Sequence, residues 1–203
     1  MSHSLAQTAH HEAGHYICMV AEGVQPQEVV ISEPTESDAS KKWSGRVATS
    51  GNIETGALAR IAMAGPIAEV RYMFEVEYRE RSGEPLPPEY PEEKLWSDAN
   101  RREAFFDAIV DEHQKSAHII RYQELGKYPG IQIHSAEWGG DRRSIRDSSP
   151  AIESQRRVFE MAYEVIAQRW QEVVEVARKI ERRENEIDGT PIRFMSNESK
   201  TQA

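Results

Sequence analysis

The sequence predicts a mainly α (α+β) fold, helices with a small β-hairpin or sheet after the first of them. Three observations carry this. Apolar residues recur at helical spacing over four long stretches. Two short β-rich runs, Val29-Val30-Ile31 and Gly45 to Val47, lie together between the first two of those stretches. A hydrophobic content of 38% in 203 residues is enough for one core, so a single domain over residues 1–195 is expected.

The first helix spans Leu5 to Ala21. Ser4 is placed to cap it, because its hydroxyl can accept from a free backbone N–H of the first turn, and Gly23 is placed to end it. The two strands follow, separated by a polar loop from Glu33 to Lys42. A second helix is expected from Thr55 to about Arg81, with a kink or break at Gly65-Pro66, where a proline removes an internal hydrogen bond.

Pro85, Pro87, Pro88 and Pro91 make residues 83–93 an extended surface connection. Ser97 then opens a third helix to about Leu125, whose apolar stripe includes Phe106, Ile109 and Val110, with Asp98 in its first turn. The pattern dissolves between Gly126 and Ser149, and Ser149-Pro150 begins a long helix to about Arg183. Its inward face should include Val158, Met161, Ala162, Val165, Trp170, Val173, Val174, Ala177 and Ile180. The polar tail, residues 196–203, is expected to be disordered.

Composition narrows the functional classes. With 29% charged residues and a net charge of -9, attraction to a phosphate backbone is not the main activity, so no nucleic-acid partner is expected. The apolar run Tyr16 to Ala21 is too short to span a bilayer and lacks the features of a secretory leader, which leads to the expectation of a cytoplasmic protein with no membrane partner. The single cysteine, Cys18, excludes an internal disulfide framework and any multi-cysteine metal site; it reads as a buried, inert thiol. A bound metal must therefore be held by histidines and carboxylates.

His11-Glu12-Ala13-Gly14-His15 supplies two of them. Four residues advance a helix by just over one turn, so both imidazoles emerge from one face and can share a zinc ion. Glu12 is rotated by about 100° from His11, beside the metal rather than on it, which suits a general base acting on a bound water. Gly14 costs about 1 kcal/mol relative to alanine in mid-helix, which the close approach of a neighbouring backbone or of substrate would explain. Cys18 and Ala21 stand where the metzincin extension needs glycine and histidine, so the third ligand comes from elsewhere. His10 is a quarter-turn off the ligand face and reads as a polar neighbour, while His113, His118 and His134 read as surface residues.

Several segments together resemble the peptidase domain of the FtsH-type ATP-dependent zinc metalloproteases. Ala9-His10-His11-Glu12-Ala13-Gly14-His15 looks like that family's signature helix, followed at the right distance by Glu28-Val29-Val30-Ile31. Ala62-Met63-Ala64-Gly65-Pro66-Ile67-Ala68-Glu69 is similar to its second conserved segment, Ser97-Asp98-Ala99-Asn100 to the start of the helix that bears its third zinc ligand, and Glu186 to Ile192 to its closing segment.

The resemblance covers most of residues 5–195 and implies a zincin-like peptidase with Zn²⁺ held by His11, His15 and Asp98. The alternative role for Asp98 is an ordinary first-turn acid favoured by the helix dipole. Glu69 is the second candidate ligand, or else the acceptor for a ligating histidine's other ring nitrogen. No phosphate-binding loop for ATP occurs, so the expected substrate is an unstructured polypeptide cut without ATP, and homo-oligomerisation is implied by analogy alone. A catalytically silent metal-binding interaction module on the same fold is the competing expectation.

Overall fold

The computed structural model describes residues 4–34, 43–73 and 138–196, together with residues 102, 106, 109, 110, 118, 119, 132 and 133. It is mainly helical with a small mixed sheet, the expected α+β class.

Helix α1 runs Leu5–Ala21 and starts in a reciprocal cap: Gln7 N–H donates to the Ser4 hydroxyl at 3.2 Å while Ser4 N–H donates to Gln7 Oε1 at 2.9 Å. It ends at Glu22, and Gly23 follows with φ +71°, as a helix terminus prefers. Strands β1 (Pro26–Glu33) and β2 (Ser44–Thr49) pair antiparallel, with Ile31 opposite Gly45 and Val29 opposite Val47.

Helix α2, Thr55–Tyr72, is capped by the Glu54 carboxylate, which accepts from Gly56 N–H and Ala57 N–H. No break occurs at Pro66. The helix runs through it, and Gly65, having no Cβ, removes one of the clashes a proline ring makes, that with the preceding side chain. The surrounding turns, Met63 to Ala68, are all buried, so packing outweighs one missing hydrogen bond.

A two-residue pairing of β3 (His118–Ile119) with β4 (Gln132–Ile133) stands apart from the main sheet. Helix α3, Gly139–Ser148, forms where the sequence shows no helical period, since Ile145 is its one buried residue. The long helix expected from 150 is two helices, α4 (Ile152–Gln168) and α5 (Trp170–Glu181), divided at Arg169 with φ -109° and ψ 23°. The Arg169 guanidinium reaches across to the Ile17 carbonyl at 3.3 Å and binds Glu172, so the bend is tied to α1. The buried face also differs from the expected one. Phe159, Tyr163 and Ile166 are buried, whereas Met161 is exposed.

Strands β5 (Glu186–Ile187) and β6 (Thr190–Ser196) are joined by Asp188-Gly189, both at positive φ, the two-residue turn that matches strand twist. β6 lies parallel to β1, giving the order β2-β1-β6-β5 and leaving β2 at an edge among the described residues. α1 is the central element: it packs on α2 and α5, with the sheet along its other side, and α2 in turn packs on α3 and α4. Phe106 and Ile109, from the expected third helix, are buried in the same core. The rest of that helix, the proline-rich connection and the tail beyond Ser196 lie outside the described residues. Among the described residues no helix is long and apolar enough to cross a membrane.

Candidate metal centre

The site is built from four elements. α1 presents His11 and His15 one turn apart, and their Nε2 atoms lie 3.0 Å from each other. α3 brings Asp141 in its first turn, Oδ2 3.1 Å from His11 Nε2 and Oδ1 3.4 Å from His15 Nε2. Donors held at tetrahedral angles about 2.0–2.1 Å from one ion are about 3.3 Å apart, so these separations suit a shared metal. His11, His15 and Asp141 form a group able to hold a metal ion.

The ring nitrogens turned away from this point are also held. His11 Nδ1–H donates to Glu69 Oε2 at 2.9 Å, and His15 Nδ1–H donates to the Ile61 carbonyl at 2.7 Å, both acceptors being on α2. Each bond places a proton on Nδ1, so that the neutral form of the ring turns its Nε2 lone pair toward the centre.

α2 can come this close because two glycines remove the obstacles. A Cβ on Gly14 would lie 2.5 Å from the Ala64 carbonyl oxygen, so the expected close approach is that of the α2 backbone. A Cβ on Gly65 would lie 2.5 Å from His15 Nε2 and 2.9 Å from His11 Nε2, within the space where the ligating atoms meet.

Glu12 is 3% exposed, and its Oε2 has no hydrogen-bond partner. The backbone of β2 covers it: a Cβ on Gly45 would sit 2.5 Å from Glu12 Cγ. Burial pushes the Glu12 carboxyl up to about 8. Burial disfavours a charged His11, yet hydrogen bonds and charge from Asp141 and Glu69 hold its pKa well above the ordinary value. His15, where burial dominates, is lowered. Asp141, buried but facing both imidazoles, is held below the usual carboxylate range.

The charge arrangement itself fits a cation. The Glu69 and Asp141 carboxylates meet the two imidazoles in a largely buried place, with Glu12 beside them, a set of donors that suits a cation. The orphaned Glu12 Oε2 adds a second indication, since it is a strong acceptor aimed at no protein donor. The centre opens into a cleft of about 570 Å³ whose walls include Met19, Trp43, Val47, Leu58 and Trp138.

No family model, curated protein or solved structure matches this chain.

The structure brings His11, Glu12 and His15 together at one place, and Glu69 accepts from His11 Nδ1–H. Asp98 lies outside the described residues. Among the described residues the carboxylate that meets the two histidines is Asp141, which sequence reasoning passed over. Its only local signal is an acid following Gly139-Gly140, in a stretch without apolar period. His10 is buried and turned away from the centre, Nδ1–H donating to the Ala6 carbonyl and the ring stacked on Tyr72 at 4.0 Å; burial lowers its pKa to about 4. Cys18 is fully buried, its thiol pushed up to about 12 by burial.

Proposed function

We propose that this chain is a zinc-dependent peptidase, similar in its site to the FtsH-type peptidase domain, that hydrolyses unstructured polypeptides without ATP. The observation that carries the proposal is the buried, unpartnered carboxyl of Glu12 beside a cluster of two imidazoles and one carboxylate. Two nitrogens and one oxygen donor form the ligand set of a catalytic zinc with an open position. The same donor types also serve non-haem iron, but a general base one residue from a ligand is surplus to such a centre and necessary to a hydrolase.

His11, His15 and Asp141 hold the metal in this reading. Zinc, when bound, supplies polarisation of a carbonyl and a lowered pKa for water. Glu12 Oε2 accepts a proton from the attacking water and returns it to the departing amine nitrogen. Glu69 and the Ile61 carbonyl keep the imidazoles oriented throughout. The open cleft, with both apolar and polar walls, suits a few side chains of an extended chain better than a folded surface.

The test is elemental analysis and casein hydrolysis on wild type, His15→Ala, Asp141→Ala, Asp98→Ala and Glu12→Gln. About one zinc per chain is expected in wild type, Asp98→Ala and Glu12→Gln, and much less in His15→Ala and Asp141→Ala. Hydrolysis by Glu12→Gln should fall by about 10²–10⁴-fold with zinc retained. Zinc without cleavage in wild type would leave a metal-binding interaction module, and zinc lost from Asp98→Ala but kept by Asp141→Ala would move the third ligand to residue 98.

A further inference from the structure

Trp138 joins the two halves of the centre. Its ring is 1% exposed, and its Nε1–H donates to Glu69 Oε2 at 2.8 Å. That same oxygen accepts His11 Nδ1–H at 2.9 Å. Trp138 is also the N-cap residue of α3, three positions before Asp141, and no side-chain hydrogen bond caps that helix. One carboxylate oxygen therefore ties a histidine ligand of α1 to the start of the helix that carries the carboxylate ligand. Residues 73–138 separate α2 from α3, and nothing in the local sequence of α3 would by itself place Asp141 against α1.

We propose that Trp138 is a positioning residue for the metal centre, acting through Glu69, and that its indole N–H sets zinc affinity rather than merely filling the core. The inference rests on the metal-site reading above. Two donors converging on one oxygen restrict the rotation of the Glu69 carboxyl. The fixed carboxyl in turn holds the His11 ring with Nε2 toward Asp141. Removing the indole N–H leaves Glu69 buried with a donor fewer, and its grip on His11 loosens. The fold of α3 does not depend on this bond alone: Arg142 Nε–H donates to the Ile109 carbonyl at 2.7 Å, and Ile145 is buried on the same helix. Phenylalanine at 138 should thus keep the packing and lose the function.

The experiment is zinc affinity by competition with a chromophoric chelator for wild type, Trp138→Phe, Glu69→Gln and the double variant, with thermal melting of each metal-free protein as a folding control. Each single change is expected to weaken zinc binding by about 10–100-fold, the usual effect of losing a partner behind a ligating histidine. The double variant should be little worse than either single, because both remove one linked pair of hydrogen bonds.

Zinc affinity of Trp138→Phe equal to wild type overturns the inference and leaves Trp138 as a core residue, and losses that simply multiply in the double variant overturn it as well. Wild type that takes up no zinc overturns the metallopeptidase reading and this one with it. Should Trp138→Phe fail to fold, the indole N–H resonances of metal-free wild type and Glu69→Gln decide. A Trp138 resonance that moves and exchanges faster in Glu69→Gln supports the link, and one that does not move overturns it.

Discussion

Gly65 illustrates how little space separates an open candidate metal site from a blocked one. Alanine in mid-helix is ordinarily worth about 1 kcal/mol over glycine, so Gly65→Ala would favour α2 as a helix. Its methyl, however, would stand 2.5 Å from His15 Nε2 and 2.9 Å from His11 Nε2, where the candidate ligand atoms converge. Neither ring can retreat freely, since His15 Nδ1–H is held by the Ile61 carbonyl and His11 Nδ1–H by Glu69. Gly65→Ala is therefore expected to fold but to lose zinc affinity by about 10–100-fold or more, as when other supports of metal ligands are disturbed. Chelator competition checks this, and an unchanged affinity would show that the rings give way. The motif residues at this scale were legible in the sequence because one helical turn places His11 and His15 together whatever the rest of the chain does. The need for glycine at 65 was not, because it depends on how closely a second helix approaches.

At the scale of elements, the contact between α1 and α2 is set by Gly14. The Ala64 carbonyl oxygen occupies the place that a Cβ on residue 14 would need, at 2.5 Å, and the Ala68 methyl would be 2.7 Å away. The obstacle is backbone, which cannot swing aside as a side-chain end can. Overpacking of this kind costs about 1–3 kcal/mol, against a gain of about 1 kcal/mol in helix propensity. Gly14→Ala should accordingly be destabilised by up to about 2 kcal/mol in urea unfolding at unchanged m-value, and a stabilised variant would mean that the helices separate at little cost.

Local chemistry announced the elements that begin with a clear cap or a β-branched run: Ser4 before α1, and the strands at 29–31 and 45–47. Where tertiary contacts decide, it did not. Pro66 stays within α2 in a fully buried turn, Arg169, where one predicted helix divides into two, bonds to α1, and α3 forms with a single buried residue. Asp188-Gly189 is a strong hairpin signal, but the parallel pairing of β6 with β1 joins residues more than 160 positions apart and leaves no trace in either strand.

For the whole molecule, the same long-range closure would couple the proposed metal binding to stability. His11 and His15 lie near one end of the chain and Asp141 far along it, and the centre exists only when α1, α2 and α3 are assembled. A ligand that binds the folded chain alone stabilises it by about 4 kcal/mol at a free concentration a thousand times its Kd. In a chain of this length each kcal/mol raises Tm by about 2–4 °C, so saturating zinc should raise Tm by about 8–16 °C over protein treated with chelator. Glu12→Gln should show the full shift, since Glu12 is not a ligand, whereas Asp141→Ala should lose most of it. The contrast separates the two roles without any assay of hydrolysis: a metal that stabilises Asp141→Ala as much as wild type is not held by α3, and equal Tm with and without zinc in wild type means that the converging imidazoles and carboxylate close without a metal between them.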